Sequence, residues 1–214
     1  MSLISFFTEN QNEVVECLIQ HLKLVLFSVG LGILISIPLG IVLTRHRRFS
    51  GAVLALAGTI QTIPGLVMLG FALIFFGVGF LPALIVLTLY SILPILRNTY
   101  TGIVQVQESY IDAARGIGMT NMQILFKIEL PLALPTIISG IRISTVYIVS
   151  WATLAGMIGA GGLGDLIWTG LSTYNTNYIL AGAIPSAILA LILSLVIDLT
   201  QRALTPRGLR RKRT

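Results

Sequence analysis

The sequence predicts an all-helical integral membrane protein with five spans, and three observations predict it. Of the 214 residues, 55% are hydrophobic and only 10% are charged, with a mean hydropathy of +0.92; a soluble domain carries roughly 25% charged residues. Four stretches, 24–44, 49–96, 143–164 and 166–197, contain no Asp, Glu, Lys or Arg, and about 20 apolar residues suffice to cross the hydrocarbon core. These runs are solidly apolar, whereas a membrane β-barrel shows alternating strands of about ten residues. In lipid such runs must be helical, because a helix satisfies its own backbone.

Residues 1–21 carry Glu9, Glu13 and Glu16 and lack the basic start and small-residue cleavage site of a signal peptide. They are expected to form an external acidic tail. The first span is 22–44. The long run that follows holds two more, 52–76 and 81–96, with Gly77-Val78-Gly79 and Pro82 marking the turn between them. A polar loop, 97–133, leads to a fourth span at 134–158. A glycine-rich loop from Gly159 to Tyr178 then leads to a fifth span at 179–199 and a basic tail at 200–214. The whole chain reads as a single transmembrane domain.

Thirteen of the fourteen Lys and Arg residues, from Arg45 to Arg213, fall on one side of this layout, and Lys23 falls on the other. Basic loops stay in the cytoplasm, so the amino terminus is expected outside and the carboxyl terminus inside. The tail from Arg207 to Arg213 is expected to rest on anionic lipid. With no aromatic residues interleaved, it does not read as a nucleic-acid surface. Cys17 is the only cysteine, so no internal disulfide forms.

The polar loop is the most informative segment. From Glu108 it reads as two short helices. Gly118 suits the C′ position of the first, where φ is positive. Thr120 and Gln123 make a capping box that starts the second, with Ile124, Leu125 and Ile128 as its apolar stripe. Pro131 is expected to stop that helix or turn the chain into the next span. Ala113 and Ala114, side by side, offer a surface on which another protein can approach closely. The result is a rigid elbow.

The order Asp112-Ala113-Ala114, three residues, Gly118, nine residues, Ile128-Glu129-Leu130-Pro131 resembles the EAA motif of ABC-importer permeases. Asp112 stands where that family has Glu, and every other element is in register. Gln61-Thr62-Ile63-Pro64, Ile92-Leu93-Pro94-Ile95-Leu96-Arg97-Asn98-Thr99 and Ile158-Gly159-Ala160-Gly161-Gly162-Leu163-Gly164 extend the likeness. Together they are similar to the permease subunits that import glycine betaine, choline or carnitine. The resemblance implies a type I permease core like that of the methionine importers and a second permease subunit, identical or homologous, completing the pathway. It also implies cytosolic ABC ATPases gripping the elbow and an external substrate-binding protein. Glu108, Asp112, Ala113, Ala114, Gly118, Ile128, Leu130 and Pro131 are then the ATPase-coupling candidates. The same core also serves importers of other small solutes, such as amino acids.

Polar or helix-breaking residues within the spans are the candidates for the translocation pathway: Gln61, Thr62, Pro64, Tyr147, Ser150, Trp151 and Thr153. Tyr147 and Trp151, four apart on a helix, share a face, and aromatic faces attract quaternary ammonium groups. Arg142 enters the fourth span and is expected to snorkel to the interface or pair locally.

Several chemistries find no support. No P-loop occurs, so ATP hydrolysis would fall to a separate subunit and the chain itself is not expected to be an enzyme. Gly159, Gly161 and Gly164 fit a dinucleotide fingerprint, but they follow a membrane span instead of a strand. His21 and His46 lie on opposite sides of the membrane, and no metal site or cofactor is expected. No acidic residue sits in mid-span, which weighs against the rival class, an ATPase-independent secondary transporter or channel.

Overall fold

The computed structural model describes residues 3–205; the basic tail from residue 206 onward lies outside the described residues. The architecture is all-helical. A short helix, α1 (Leu3–Glu9), precedes α2 (Gln11–Arg45), and α3 (Arg47–Thr62), α4 (Gly65–Phe76) and α5 (Phe80–Val104) follow. The elbow holds α6 (Glu108–Gly116), α7 (Asn121–Ile124) and a π-helical turn (Leu125–Glu129) leading into α8 (Leu130–Ala155). A 3-10 turn (Gly156–Ile158), α9 (Leu163–Ser172) and α10 (Thr176–Leu204) complete it. Among the described residues, four helical segments are long and apolar enough to cross a membrane, and the pair α3–α4 makes a fifth crossing if it counts as one bent span.

The core is the packing of α2, α5 and α8, where Leu24, Val25, Val29, Ala83, Val86, Leu87, Ile148, Val149 and Ala152 are all buried. Lipid supplies no hydrophobic drive between helices, so close backbone approach and buried hydroxyls do the joining. Gly32 lies against Ser91 so tightly that a Cβ there would fall 1.9 Å from Ser91 Oγ. Ser91 Oγ donates to the Ser28 carbonyl at 3.2 Å, and Ser144 Oγ donates to the Ser91 carbonyl at 3.0 Å. Three helices are thereby stitched at one level.

Five details differ from the expectations above. The third span, expected at 81–96, continues as α5 to Val104 and takes up the first eight residues of the expected loop. Residues 11–21 are not a separate tail but the opening turns of the 35-residue helix α2. That helix is about 52 Å long at 1.5 Å per residue. It continues because Val14, Cys17 and Leu18 have an apolar surface to meet in Leu163, Leu166 and Ala181. The second span is not continuous either. It breaks at Ile63-Pro64, where α3 and α4 meet at 89°. Pro64 has no N–H and drives the preceding residue out of the helical region, and Ile63 sits at φ −70°, ψ 130°.

Pro131 neither stops the helix nor turns the chain, since one helical run extends from Asn121 to Ile158. The π-turn absorbs the proline. There the Leu130 N–H reaches back five residues to the Leu125 carbonyl, which widens the helix just ahead of the ring. Finally, the segment from Gly159 to Tyr178 contains a helix, α9, packed on α10 and α2. Its ten residues are too few to cross a bilayer.

Arg142 pairs with Asp198 at 3.4 Å, and Asp198 also binds Arg202 at 2.6 Å, tying α8 to α10. A more buried pair links α2 to the elbow. Arg45 and Glu129 meet through two bonds, one of them Arg45 Nη1 to Glu129 Oε1 at 3.0 Å, and the Glu129 side chain is 4% exposed against 43% for Arg45. Removing the half-exposed cation strands a buried carboxylate, while removing the carboxylate leaves a cation that water can reach. Arg45→Ala is therefore expected to lower stability by about 2–3 kcal/mol, under the 3–5 kcal/mol of a fully buried pair. Glu129→Gln should cost clearly less, and thermal unfolding of the two variants in detergent gives the order.

Candidate functional site

The elbow is built by local signals. Helix α6 ends in a Schellman motif, with the Gly118 N–H bonded to the Arg115 carbonyl at 2.9 Å and the Met119 N–H to the Ala114 carbonyl at 3.1 Å. Gly118 holds φ +80°, as its C′ position requires. The reciprocal capping box at Thr120 and Gln123 then starts α7. With the four residues 117–120 taken up by the two caps and the turn between them, α6 folds back against α7 and the π-turn.

The coupling candidates fall into two sets. Asp112 and Ala113 are exposed, and Asp112 pairs weakly with Arg115 at 3.5 Å. Glu108 is also exposed and lines a cavity of about 380 Å³ beside Arg45, Arg47 and Glu129. Ala114 is buried inside the elbow, so the pair of alanines does not form one approach surface. The stripe of Ile124 and Leu125 likewise points inward, while Ile128, Leu130 and Pro131 are half-buried at the root of α8. What the elbow presents outward is Tyr110, Ile117, Met122 and Phe126, each at least 51% exposed. None of these four belongs to the motif. The signal was available at Met122 and Phe126, whose i, i+4 spacing places both on the face opposite Ile124.

The pathway candidates divide as well. Gln61, Tyr147 and Trp151 come together around a cavity of about 190 Å³ at the break between α3 and α4. Tyr90 is the fourth lining residue and was not among the candidates. Its hydroxyl donates to the Ile63 carbonyl freed by the break, and Gln61 Nε2 donates to the Tyr90 carbonyl at 2.9 Å. The rings of Tyr90 and Trp151 lie 5.3 Å apart at 37°. Pro64 makes the break itself. Thr62, Ser150 and Thr153 turn their hydroxyls back onto the carbonyls of Thr59, Val146 and Ser150, so they serve their own helices.

The glycine-rich loop is a tight turn, with Gly159, Gly161 and Gly162 all at positive φ. Gly162 donates its N–H to Gln20 Oε1 at 2.9 Å, which fastens the loop to α2. Asp165, just inside α9, sits by a cavity of about 400 Å³ with Trp168, and burial raises its carboxyl above the usual range.

An all-helical membrane core with a keyed elbow between α5 and α8 defines a class. Residues 32–210 match the family described as "Binding-protein-dependent transport system inner membrane component", and the chain belongs to that family. The chain is 45% identical over 207 residues to the glycine betaine/carnitine/choline transport system permease protein OpuCB of Bacillus subtilis (strain 168), covering 97% of this chain and 95% of that one. It is 44% identical over 209 residues to the choline transport system permease protein OpuBB of the same organism, covering 98% and 96%. Its fold is similar to a chain of the MetNI methionine ABC transporter in an inward-facing conformation. There the TM-score is 0.82 at 25% identity, over 92% of this chain and 98% of that one.

A Cβ added at Gly118 or at Gly116 would meet nothing within 4 Å, so only the backbone separates the two positions. Gly118→Val forces a β-branched residue to positive φ at about 1–3 kcal/mol, and Gly118→Asn should be milder because Asn tolerates that region. Uptake by reconstituted complexes is expected to fall in the order Gly116→Val, Gly118→Asn, Gly118→Val, with all three inserted equally.

Proposed function

We propose that this chain is the membrane-spanning permease subunit of an ATP-driven bacterial importer for quaternary-amine osmoprotectants of the glycine betaine, choline and carnitine class. The substrate class rests on the 44–45% identity, over nearly the full chain, to permeases named for those solutes. The mechanical role rests on the elbow. Its outward apolar residues form a contact surface outside the spans, and such a surface marks a protein partner. That partner is a cytosolic ATPase, since this chain carries no phosphate-binding loop.

The physical sequence of events is short. A second permease subunit, identical or homologous, faces this one across the pathway, and an external binding protein delivers substrate. Closure of the ATPases on ATP displaces the elbows. Because the helical run from Asn121 to Ile158 is unbroken, it carries the displacement into the membrane directly. Arg45 and Glu129 carry it to α2. The remainder of the core follows through the seams at Ser91, and the pathway changes the side to which it opens.

Two experiments test this reading. Complexes of the permease, its ATPase and its binding protein are reconstituted in vesicles and offered labelled choline and labelled methionine. ATP-dependent choline uptake is expected; uptake of methionine alone would assign the chain to amino acids, and uptake without any ATPase would make it a secondary transporter. Topology is tested in a Cys17→Ser background with an impermeant thiol reagent. A cysteine at Tyr174, which is 96% exposed, should label from outside intact cells, and one at Asn121 only after permeabilisation. External labelling at Asn121 would refute the coupling role.

A further inference from the structure

We propose that the break in the second span is a way-station for a quaternary ammonium headgroup, formed by the carboxyl-terminal end of α3 and the rings of Tyr90, Tyr147 and Trp151. The proposal builds on the substrate class given above and assigns it a place. Three features of the break favour a cation. Helix α3 ends at Thr62, so the negative end of its dipole lies at the break. There the Thr62 hydroxyl, the Ile63 N–H and the Tyr90 hydroxyl meet the carbonyls of Thr59, Ile60 and Ile63. Gln61, in that last turn, lines the cavity. The other lining residues are all aromatic, and ring faces attract ammonium groups without a counter-charge.

The rings are held in place before any ligand arrives. Trp151 lies so close over the start of α4 that a Cβ at Gly65 would come within 1.9 Å of the indole. Tyr90 is fixed at its hydroxyl by Ile63 and at its carbonyl by Gln61. Tyr147, one turn before Trp151 on α8, is 55% exposed and leaves the cavity open on one side. The volume of about 190 Å³ is several times the roughly 30 Å³ share of one water, enough for a trimethylammonium group. No carboxylate lines the cavity. A buried carboxylate would trap the cation, whereas a partial helix charge with ring faces holds it weakly enough to let it pass.

The test separates the site from the transport reading. The permease–ATPase complex is labelled with 5-fluorotryptophan and purified without binding protein, and the Trp151 fluorine signal is assigned from its loss in Trp151→Phe. Tetramethylammonium chloride is then titrated, with the uncharged alcohol 2,2-dimethylpropan-1-ol, of similar branching and one heavy atom larger, as control. A saturable shift with the cation, absent with the alcohol and weakened in Tyr147→Leu, is expected. Equal responses to both compounds, or none to the cation, would overturn the proposal. In vesicles with saturating binding protein, Tyr147→Leu should lower choline uptake roughly three- to thirtyfold, the span of one cation–π contact, and Tyr147→Phe, which retains a ring face, should lower it clearly less. Equal uptake in the two variants also counts against the site. If wild-type complexes take up no choline, the transport reading fails, and the fluorine titration judges the site by itself.

Discussion

A carboxylate buried at the root of the elbow cannot persist without a cation, and among the described residues Glu129 has Arg45. Much of the geometry follows from satisfying that one group. Arg45 is the last residue of α2, and Glu129 closes the π-turn that opens α8. The pair therefore fixes the end of one core helix to the start of another, at the level where the elbow joins the membrane. Glu129 is buried while Arg45 is 43% exposed, so it is the carboxylate that is costly to leave unpaired, and the two helices move together or the pair must break. The unbroken helix from Asn121 to Ile158 adds the second constraint, because it joins α7 of the elbow to α8 without a loop, while the turn at 105–107 interrupts the chain only on the α5 side.

The second span shows the opposite design. Backbone groups in lipid must find partners within the protein, and at Ile63-Pro64 the helix gives up that self-sufficiency. Tyr90 compensates from the neighbouring helix α5 through its hydroxyl. The compensation leaves polar and aromatic groups around an open space at the break. On the reading proposed above, the seam of α2, α5 and α8 would carry force, and the broken helix beside it would offer chemistry to a solute. The two tasks are separated in space yet share α5 and α8.

The helical class and the existence of the spans were legible in uncharged apolar runs, since lipid admits little else. The elbow was legible in detail, because capping is local: Gly118 and the Thr120–Gln123 box act over four or five residues, and a short pattern specifies them. What escaped was set by tertiary contact. Arg45 and Glu129 are 84 positions apart, and neither is unusual where it stands. Whether Pro64 bends its helix while Pro131 does not depends on a hydroxyl from α5 in the first case and a π-turn in the second. Tyr90 looked like one aromatic among many in an apolar run. Ala114 turned inward and Met122 outward because α6 folds back on α7, a packing that the motif register does not encode. The opening turns of α2 and the whole of α9 form because each covers the other, so neither was readable alone.

If the elbow and α2 move as one body through the ion pair, the ratio of choline imported to ATP hydrolysed reports it most directly. Glu129→Gln keeps the shape of the side chain and removes the charge attraction. The exchange Arg45→Glu with Glu129→Arg restores the attraction with its sense reversed. If the pair carries the force, Glu129→Gln lowers the ratio while ATP hydrolysis continues, and the exchange recovers it at least in part. A wild-type ratio in Glu129→Gln, in complexes that assemble and hydrolyse ATP normally, would contradict the claim.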